Sequence, residues 1–378
     1  MDVLISGASI AGLTTAHWLS RHGHTVTVVE RSDGLRSGGV SIDVRGEAVE
    51  VASAMGILEE IQQRRVPHED VYRFVDRAGV TQAELRPAEN VYESSVDVEI
   101  SRDALSEILR RAVPEHVTFC YDTWITSITA DPVPGSTRRA VALSDGSAVT
   151  VDLVVGADGM HSNVRNLVFG PEHQFVHHLG LYVSIAKRCN TVRVDAGSEV
   201  LNTPGRMVML RSDGTSTSAL LGFRSAWIDY DFRDVESQRQ IVRAAFDGMN
   251  DWVAPAAVAE VVAADDFYFD SVSQIRMSSW WKDRSVLVGD AAYCASFFSG
   301  MGTTLAMVGA RALAKCISAA AGDLTVALDS YDRRMQPVVA AAQAIAGQGA
   351  ALLFPPTEQA IEERNATLQT VSRGPGPP

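Results

Sequence analysis

The architecture of this chain follows from the stretch Val3-Leu4-Ile5-Ser6-Gly7-Ala8-Ser9-Ile10-Ala11-Gly12. Val3-Leu4-Ile5 is a short apolar run of the kind found in central parallel strands. Leu13–Arg21 carries apolar residues at helical spacing, and Thr25–Val29 is a second, β-branched strand that stops at Glu30. Together they form a strand–turn–helix–strand unit of about thirty residues, which is the unit that a dinucleotide-binding fold requires.

The turn between strand and helix is a variant of the dinucleotide fingerprint, with Gly7, Ser9 and Gly12 at its three small positions. Gly7 allows the tight turn, Gly12 lets the helix pack closely on the sheet, and the small Ser9 lets the backbone approach a pyrophosphate. The helix start, at Ile10 and Ala11, offers free N–H groups and a partial positive charge to that anion. Taken alone, the hexapeptide is equally compatible with a tight turn that binds no ligand.

Glu30 narrows the choice of nucleotide. It ends the second strand, eighteen residues after Gly12, where a carboxylate can accept hydrogen bonds from the ribose hydroxyls of an adenosine. The same negative charge repels a 2′-phosphate. The resident nucleotide is therefore expected to be FAD or NAD and not NADP.

Composition and charge exclude several other classes of protein. The 378 residues are 46% hydrophobic and 21% charged, which is ordinary for a globular chain. The formal net charge of −13, with no lysine/arginine run, disfavours nucleic acid or an anionic membrane as a partner. The four cysteines form no CxxC pair, which argues against a disulfide framework or a zinc site and fits a reducing compartment. No basic segment followed by a cleavable apolar stretch is evident, so we expect a cytoplasmic protein. We also expect a monomer or a weak homodimer.

Later segments predict further elements of an α/β fold. Leu153–Val155 and Ser285–Val288 are short apolar runs typical of buried strands, and residues 171–274 are richer in alternating strand-like segments and aromatics. A long helix is expected from about Thr303. Val326–Leu353 is expected to be largely helical, with Pro337 near the start of a turn, and the Gly/Pro-rich residues 373–378 to be disordered.

Several segments resemble class A flavoprotein monooxygenases, the relatives of para-hydroxybenzoate hydroxylase and of the tetracycline-inactivating hydroxylases. Besides the amino-terminal unit with Glu30-Arg31, Asp152–Ser162 with Arg165 resembles the Asp-Gly motif of the family, and Arg284–Ala292 resembles its Gly-Asp motif. Gly38–Gly46 is similar to the loop along the isoalloxazine ring, and Ile100–Leu105 to the segment whose arginine reaches the cofactor. The resemblance spans most of residues 1–350 in the order of the family.

The resemblance implies a Rossmann-like FAD-binding domain with an inserted, mostly antiparallel β domain and a long C-terminal helix. The expected FAD-binding domain is discontinuous and comprises residues 1–70, 100–170 and 275–325. Residues 71–99 and 171–274 would form the substrate-binding β domain, residues 326–372 a C-terminal helical segment, and residues 373–378 a disordered tail.

The resemblance also implies roles for individual residues. Asp290 would accept a hydrogen bond from a ribityl hydroxyl, and the Gly-rich turn before the late helix would place a positive helix end under the pyrimidine edge of the flavin. The expected cofactor-binding residues are Gly7, Ser9, Ile10, Ala11, Gly12, Glu30, Arg31, Gly39, Val40, Arg102, Asp158, Asp290, Gly300, Met301, Gly302 and Thr303. Arg45 and Phe297 are candidates for contact with the flavin, although Arg45 with Asp43 is equally compatible with a surface ion pair.

The implied activity is hydroxylation of an electron-rich phenol, enol or polyketide-like ring, as in secondary metabolism or antibiotic modification. Non-covalent FAD, reduced by transiently docking NADPH or NADH, would react with O₂ to a C4a-hydroperoxide. The side chains of Met207, Met209, Phe223 and Trp227 are candidates for lining a substrate pocket. The alternative is that they pack in the hydrophobic core, as methionine and aromatic side chains usually do. No residue is singled out as a general base, and the adjacent His177 and His178 do not suit a metal.

One departure from the family leaves alternatives open. Relatives usually carry prolines in the stretch that corresponds to Tyr293–Gly300, and this chain has none there. An enzyme of the same fold that retains FAD as a structural element and catalyses a non-redox cyclisation is the second hypothesis. Two other hypotheses are a catalytically silent FAD-binding protein and a plain NAD-dependent dehydrogenase. The dehydrogenase hypothesis gives no role to the motif Gly289-Asp290.

Overall fold

The computed structural model describes residues 1–35, 41–66, 71–86, 97–212, 214 and 216–372. The expectations for Gly39, Val40 and the tail 373–378 lie outside these residues. In chain order, the strands are β1 (Asp2–Ser6), β2 (Thr25–Val29), β3 (Ser41–Val44), β4 (Tyr72–Val75), β5 (Thr81–Leu85), β6 (Val98–Ser101), β7 (Thr118–Cys120), β8 (Ile125–Ala130), β9 (Arg139–Leu143), β10 (Ala148–Val151), β11 (Leu153–Gly156), β12 (Val176–Cys189), β13 (Gly197–Thr203), β14 (Arg206–Ser212), β15 (Thr217–Arg224), β16 (Tyr268–Ile275), β17 (Trp281–Lys282) and β18 (Ser285–Leu287).

The α-helices are α1 (Ile10–Arg21), α2 (Glu47–Met55), α3 (Leu58–Gln63), α4 (Arg102–Ala112), α5 (Asn163–Val168), α6 (Val235–Ala245), α7 (Ala254–Ala263), α8 (Asp290–Tyr293), α9 (Gly302–Ala319), α10 (Leu324–Leu353) and α11 (Glu358–Ser372). Helix α10 runs through Pro337, so the stretch Val326–Leu353 that was expected to be largely helical is one helix. No single helix among the described residues is long and apolar enough to cross a membrane. By length and composition alone, the sharply bent pair Leu324–Leu353 and Glu358–Thr370 could do so.

A six-stranded sheet in the order β17-β18-β11-β1-β2-β7 forms the dinucleotide-binding layer. Its strands are parallel, except that β17 pairs with β18 in antiparallel fashion. The central strands β1 and β11 are buried along nearly their whole length, as their continuous apolar runs predict. This sheet shares its hydrophobic core with α1, α9 and the first part of α10.

A seven-stranded sheet in the order β16-β12-β15-β14-β13-β4-β5 forms the second layer. All neighbours are antiparallel except β13 and β4. One face packs on α6 and α7, with a core that includes Tyr182 and Phe223. The other face packs on Phe354 and Leu368 near the C-terminal end, and also on Phe298 from the segment between α8 and α9. This second face is therefore the one turned toward the dinucleotide-binding layer.

Two small sheets complete the fold. Strands β10, β9 and β8 form a meander, and Asp145-Gly146 lies in the turn between β9 and β10. Strands β3 and β6 pair in antiparallel register, with Asp43 directly opposite Glu99. Because opposed residues in such a ladder share one face, this short pair places two carboxylates side by side at the junction of the two layers.

Candidate active site

The turn after β1 is so closely packed that two of its positions accept only glycine. Gly7 has a φ of +104°, and a Cβ there would lie 2.5 Å from the carbonyl oxygen of Ala157. A Cβ on Gly12 would collide with the carbonyl oxygen of Gly7. Helix α1 is thereby held close to β1 and β11. Its amino end emerges at the carboxyl edge of the parallel sheet, which is where ligands bind in folds of this kind.

The amino end of α1 is prepared for an anion. Ser9 is the N-cap residue, but its side chain does not cap the helix, and the first turn carries no acidic residue. The Ser9 hydroxyl instead accepts a hydrogen bond of 3.2 Å from Nη2 of Arg102. Arg102 is the first residue of α4, whose own amino end is capped by Ser101. A helix dipole and a guanidinium therefore converge on one point, and both favour a group such as a diphosphate.

Glu30 lies beside the same turn. Its Oε2 accepts a hydrogen bond of 2.7 Å from the Ala8 N–H, and its Oε1 accepts one of 3.0 Å from the Ser32 N–H. These bonds fix the carboxylate and leave it lone pairs that can accept ribose hydroxyls. The Arg31 guanidinium lies 5.6 Å from the centre of the Trp124 ring, which is 41% exposed. Trp124 follows β7, the sheet neighbour of β2, so this aromatic surface lies just beyond Glu30.

Asp290 lies where the amino ends of α1, α4 and α9 come together, and we call the concave region between them the cleft. The Asp290 side chain is accessible to solvent, yet protein surrounds it, and this burial raises the pKa of the carboxyl. The positive charge of Arg102 and a hydrogen bond with Cys294 act in the opposite direction. A Cβ on Gly289 would lie 2.8 Å from the Cβ of Ala11, so the turn before Asp290 touches the first turn of α1. The fold thus brings Asp290 and Arg102 into the same cleft.

The start of α9 forms another wall of the cleft. Met301 is the N-cap residue, no side chain caps the helix, and its first turn has no acidic residue. A Cβ on Gly302 would lie 3.9 Å from Oδ1 of Asp290. Gly300 adopts a left-handed conformation before the helix, and Thr303 is buried in its first turn. A second uncapped helix end therefore lies next to Asp290, where it can stabilise negative charge on a ligand.

Arg45 packs against the Gly300 turn. Its Nη2 forms an ion pair of 3.0 Å with Oδ2 of Asp43. A Cβ on Gly300 would lie 3.2 Å from Nη1 of Arg45, and the Thr304 hydroxyl donates a hydrogen bond of 3.2 Å to the Arg45 carbonyl oxygen. The Asp43–Arg45 pair is largely enclosed by the protein, so it is not a freely solvated surface pair.

The segment between α8 and α9 has an unusual backbone. A 3₁₀ turn at Phe297–Ser299 follows Ser296, which has φ of +101° and ψ of 151°. A non-glycine residue in this region costs roughly 1–3 kcal/mol and persists only where its surroundings impose it. Phe297 is 36% exposed, whereas the Phe298 ring packs 5.1 Å from the ring of Phe354.

Asp158, expected to serve the cofactor, makes several contacts to its own chain segment. It accepts hydrogen bonds of 3.0 Å from the Asn163 N–H and 3.1 Å from the Val164 N–H. The Ser162 hydroxyl also donates to it. Burial raises the pKa of the Asp158 carboxyl, and the hydrogen bonds to it oppose that effect. These contacts satisfy the first turn of α5, so the carboxylate fixes the geometry of its own loop.

His161 connects the two layers of the fold. Its Nδ1 lies 2.9 Å from Oε1 of Glu172, and its Nε2 lies 3.5 Å from Oδ2 of Asp270 on β16. Burial alone would lower the pKa of His161, but the two carboxylates outweigh it and raise the pKa to about 9. Glu172 also pairs with the buried Arg165 guanidinium at 2.9 Å. His161 is thus a protonated bridge between the Asp-Gly segment and the seven-stranded sheet.

The four side chains expected to share a substrate pocket are not brought together. Met207 and Met209 are two residues apart on β14, so both lie on the face turned toward the dinucleotide-binding layer. Phe223 packs on the opposite face against α6 and α7, and Trp227 is 53% exposed beyond the end of β15. The grouping is corrected because β15 pairs Phe223 with Arg206, one residue out of step with Met207. Of the four side chains, Met207 and Met209 share one face of the sheet.

One pair of charged residues in this region was not expected from the sequence. Arg211 follows Met207 and Met209 on the same face of β14, and its Nη1 lies 2.6 Å from Oε1 of Glu99. Its Nη2 donates a second hydrogen bond of 2.7 Å to Oε2, so the pair is bidentate. No sequence motif marks it, because the two residues meet only when β6 and β14 are brought together.

Metal ligands are not clustered in the described ranges: no group of three or more His, Cys, Asp or Glu side chains is arranged to hold an ion. The Nε2 atom of His178 lies 3.1 Å from the carbonyl oxygen of Ser225.

The residues around the cleft fit FAD. Two uncapped helix ends and the Arg102 guanidinium suit a diphosphate, Glu30 suits ribose hydroxyls, and Asp290 suits a polyol such as the ribityl chain. Asp290 and Arg102 lie in one cleft with both helix ends. A nicotinamide dinucleotide would use the first helix end and Glu30, but it has no ribityl chain to engage Asp290.

Comparison with known proteins agrees with this fit. The sequence model of the family described as "FAD binding domain" matches residues 1–346. An uncharacterized protein of Mycobacterium tuberculosis is 40% identical over 336 residues, covering 87% of this chain and 88% of that protein. A flavin-dependent monooxygenase from an unknown prokaryotic organism is 36% identical over 344 residues, covering 90% and 87%. The crystal structure of tetracycline destructase Tet(51) superposes with a TM-score of 0.83 at 31% identity, covering 100% of this chain and 99% of that one.

Proposed function

Because the chain belongs to the class A flavoprotein monooxygenases, whose FAD-binding domain spans most of it, we propose that it oxygenates an electron-rich ring of a polyketide-like small molecule. It is an FAD-dependent oxidoreductase, and NADPH or NADH is the proposed reductant. We take tetracycline as the first substrate to test, since tetracycline destructases Tet(51) and Tet(55) both share the fold at a TM-score of 0.83. Phenols and enols of similar size form the wider class.

The observation that carries the proposal is the convergence of Arg102, Asp290 and two uncapped helix ends on one cleft. When bound there, FAD supplies the redox chemistry, because it accepts hydride from a nicotinamide and activates O₂. The chain itself would bind the diphosphate with the amino end of α1 and with Arg102. Asp290 would accept a ribityl hydroxyl. The amino end of α9 would stabilise negative charge on the pyrimidine part of the ring.

The proposed substrate surface is the face of the seven-stranded sheet that carries Met207 and Met209, where Met209 is half-buried and Met207 is fully buried. It is largely apolar, and Phe298 and Phe354 pack against its other parts. Such a face excludes water and offers flat contact to a ring system. Arg211, held by Glu99, stands at the polar end of the same strand and supports recognition of a substrate with an enolate or phenolate oxygen.

The function is tested with the purified protein loaded with FAD. Under anaerobic conditions, NADPH or NADH should bleach the flavin spectrum, and tetracycline should change the rate if it binds. In air, the product should contain one oxygen atom derived from isotopically labelled O₂, as detected by mass spectrometry. Full reduction by both coenzymes without oxygen transfer to tetracycline or to a panel of phenols would contradict the proposal.

The proline-free segment between Tyr293 and Gly300 favours a second candidate, a non-redox cyclisation in which the flavin is structural. The same experiment separates the two. A cyclase needs no NADPH, NADH or O₂, so it converts its substrate under anaerobic conditions without bleaching the flavin.

A further inference from the structure

The segment Cys294–Gly300 lies between Asp290 and the start of α9, which are two of the proposed flavin contacts. It contains no proline, and Ser296 has a backbone conformation that disfavours L-residues. A proline would limit the backbone there by fixing φ. Something else must hold this segment, because its conformation is costly and its neighbours would contact the flavin.

Gln343 is one of the residues that hold it. This residue is in α10, and its side-chain amide donates two hydrogen bonds: 2.9 Å to the carbonyl oxygen of Ile275 and 3.3 Å to that of Cys294. The Ile275 N–H donates to the same Cys294 oxygen at 3.0 Å. One side chain therefore joins the C-terminal helix, the edge strand β16 and the first residue of the segment.

Gln274 is the second. It is 1% exposed, and its amide nitrogen donates 3.2 Å to the carbonyl oxygen of Ala295 and 2.8 Å to the backbone oxygen of Gln343. Its amide oxygen accepts two hydrogen bonds from Arg276, at 3.1 Å and 2.8 Å. Every polar atom of the Gln274 side chain is thus used, which fixes its orientation.

A close contact further along α10 presses on the same segment. A Cβ on Gly349 would lie 2.7 Å from the carbonyl oxygen of Phe298. Helix α10 therefore meets the segment at two points, by hydrogen bonds from Gln343 and by direct packing at Gly349. These contacts hold residues on both sides of Ser296.

We propose that Gln274 and Gln343 are positioning residues that replace the missing prolines: their amides hold the carbonyl oxygens of Cys294 and Ala295 so that the segment shields the reduced flavin from water while it reacts with O₂. This inference rests on the proposed function. It also gives the proline-free segment a role in oxygen chemistry that the cyclase hypothesis does not need.

The test compares Gln343→Met, which keeps a similar length and removes both donors, with Gln336→Met, a matched change at an exposed glutamine of the same helix. The first readout is amide hydrogen exchange of residues 294–301 in flavin-free protein. Loss of two hydrogen bonds should accelerate exchange about tenfold in Gln343→Met and leave it unchanged in the control. If Gln343→Met does not fold, Gln343→Glu removes the same donors at the same length and is measured instead.

The second readout is specific to oxygen chemistry. FAD-loaded protein is reduced by dithionite without oxygen and mixed with oxygenated buffer, and the rate of hydrogen peroxide release is measured. We expect Gln343→Met to release hydrogen peroxide faster than wild type, by up to about tenfold, which is the factor expected for amide exchange. Its affinity for FAD should be unchanged. Unchanged exchange, or faster exchange with an unchanged peroxide rate, would overturn the inference. A wild-type protein that takes up no FAD would instead refute the proposed function, which is a separate result.

Discussion

Replacing Arg102 by methionine should weaken FAD binding more than any other single change at the first helix. The guanidinium donates 3.2 Å to Ser9 at the uncapped amino end of α1, where the diphosphate is expected, and it counters the raised pKa of Asp290. A hydrogen bond to a charged group contributes about 1.5–3 kcal/mol. Its loss therefore corresponds to a dissociation constant for FAD that is roughly 10- to 150-fold higher.

The assay is titration of flavin-free protein with FAD, followed by quenching of flavin fluorescence. Arg111→Met is the matched control, because Arg111 lies on the same helix α4 and forms an exposed ion pair with Glu60, which contributes little. Arg102→Lys should give an intermediate value, since it keeps the charge and loses the planar fork. If Arg102→Met and Arg111→Met bind FAD equally well, the assignment of the diphosphate to this end of α1 is wrong.

Three further predictions concern other parts of the structure. The fold raises the pKa of His161 from 6.5 to about 9. The protonated ring therefore contributes fully to the free energy of unfolding below about pH 6.5, and this contribution is lost as the pH rises to about 9. Urea unfolding should therefore show His161→Gln to be less stable than wild type by about 1–3 kcal/mol at pH 6, with the difference vanishing above about pH 9; a pH-independent difference would contradict this. Gly309→Ala should destabilise the folded protein by about 1–3 kcal/mol, because its Cβ would collide with the Tyr293 hydroxyl. In thermal unfolding, adding Tyr293→Phe should recover part of that loss, and additive effects of the two changes would argue against the contact. Trp124→Ala should weaken binding of ADP, as a probe of the adenosine site, by about tenfold through lost stacking, whereas Trp227→Ala, which removes an exposed ring beyond the end of β15, should not; equal effects would exclude an adenine contact at Trp124.

The dinucleotide-binding unit could be predicted from the sequence because its signals are local. The first strand, the Gly7 turn, α1 and β2 follow one another within thirty residues, and each is specified by its own spacing of apolar and small residues. The order of the later motifs then gave the fold class, which the match to the FAD-binding family and the superposition on Tet(51) confirm. The individual cofactor contacts remain predictions for the binding experiments.

The substrate side could not be predicted in the same way, because it depends on register and on contacts between distant segments. A shift of one residue between β14 and β15 moves Phe223 to the far face of the sheet from Met207. Gln343 meets Cys294 across 49 residues of sequence, and an isolated glutamine in a helical pattern carries no sign of such a contact. Helix α10 continues through Pro337, because tertiary packing can override the local preference of a proline to end a helix.

The most direct measurement of the central claim is the stoichiometry of flavin binding to protein that has been stripped of ligand. The arrangement of Arg102, Asp290 and the two helix ends predicts one FAD per chain, released intact on denaturation because the attachment is non-covalent. FMN, which has no adenosine diphosphate portion, should bind far more weakly. Protein that stays colourless after incubation with FAD, or that binds FMN and FAD equally, would contradict the account.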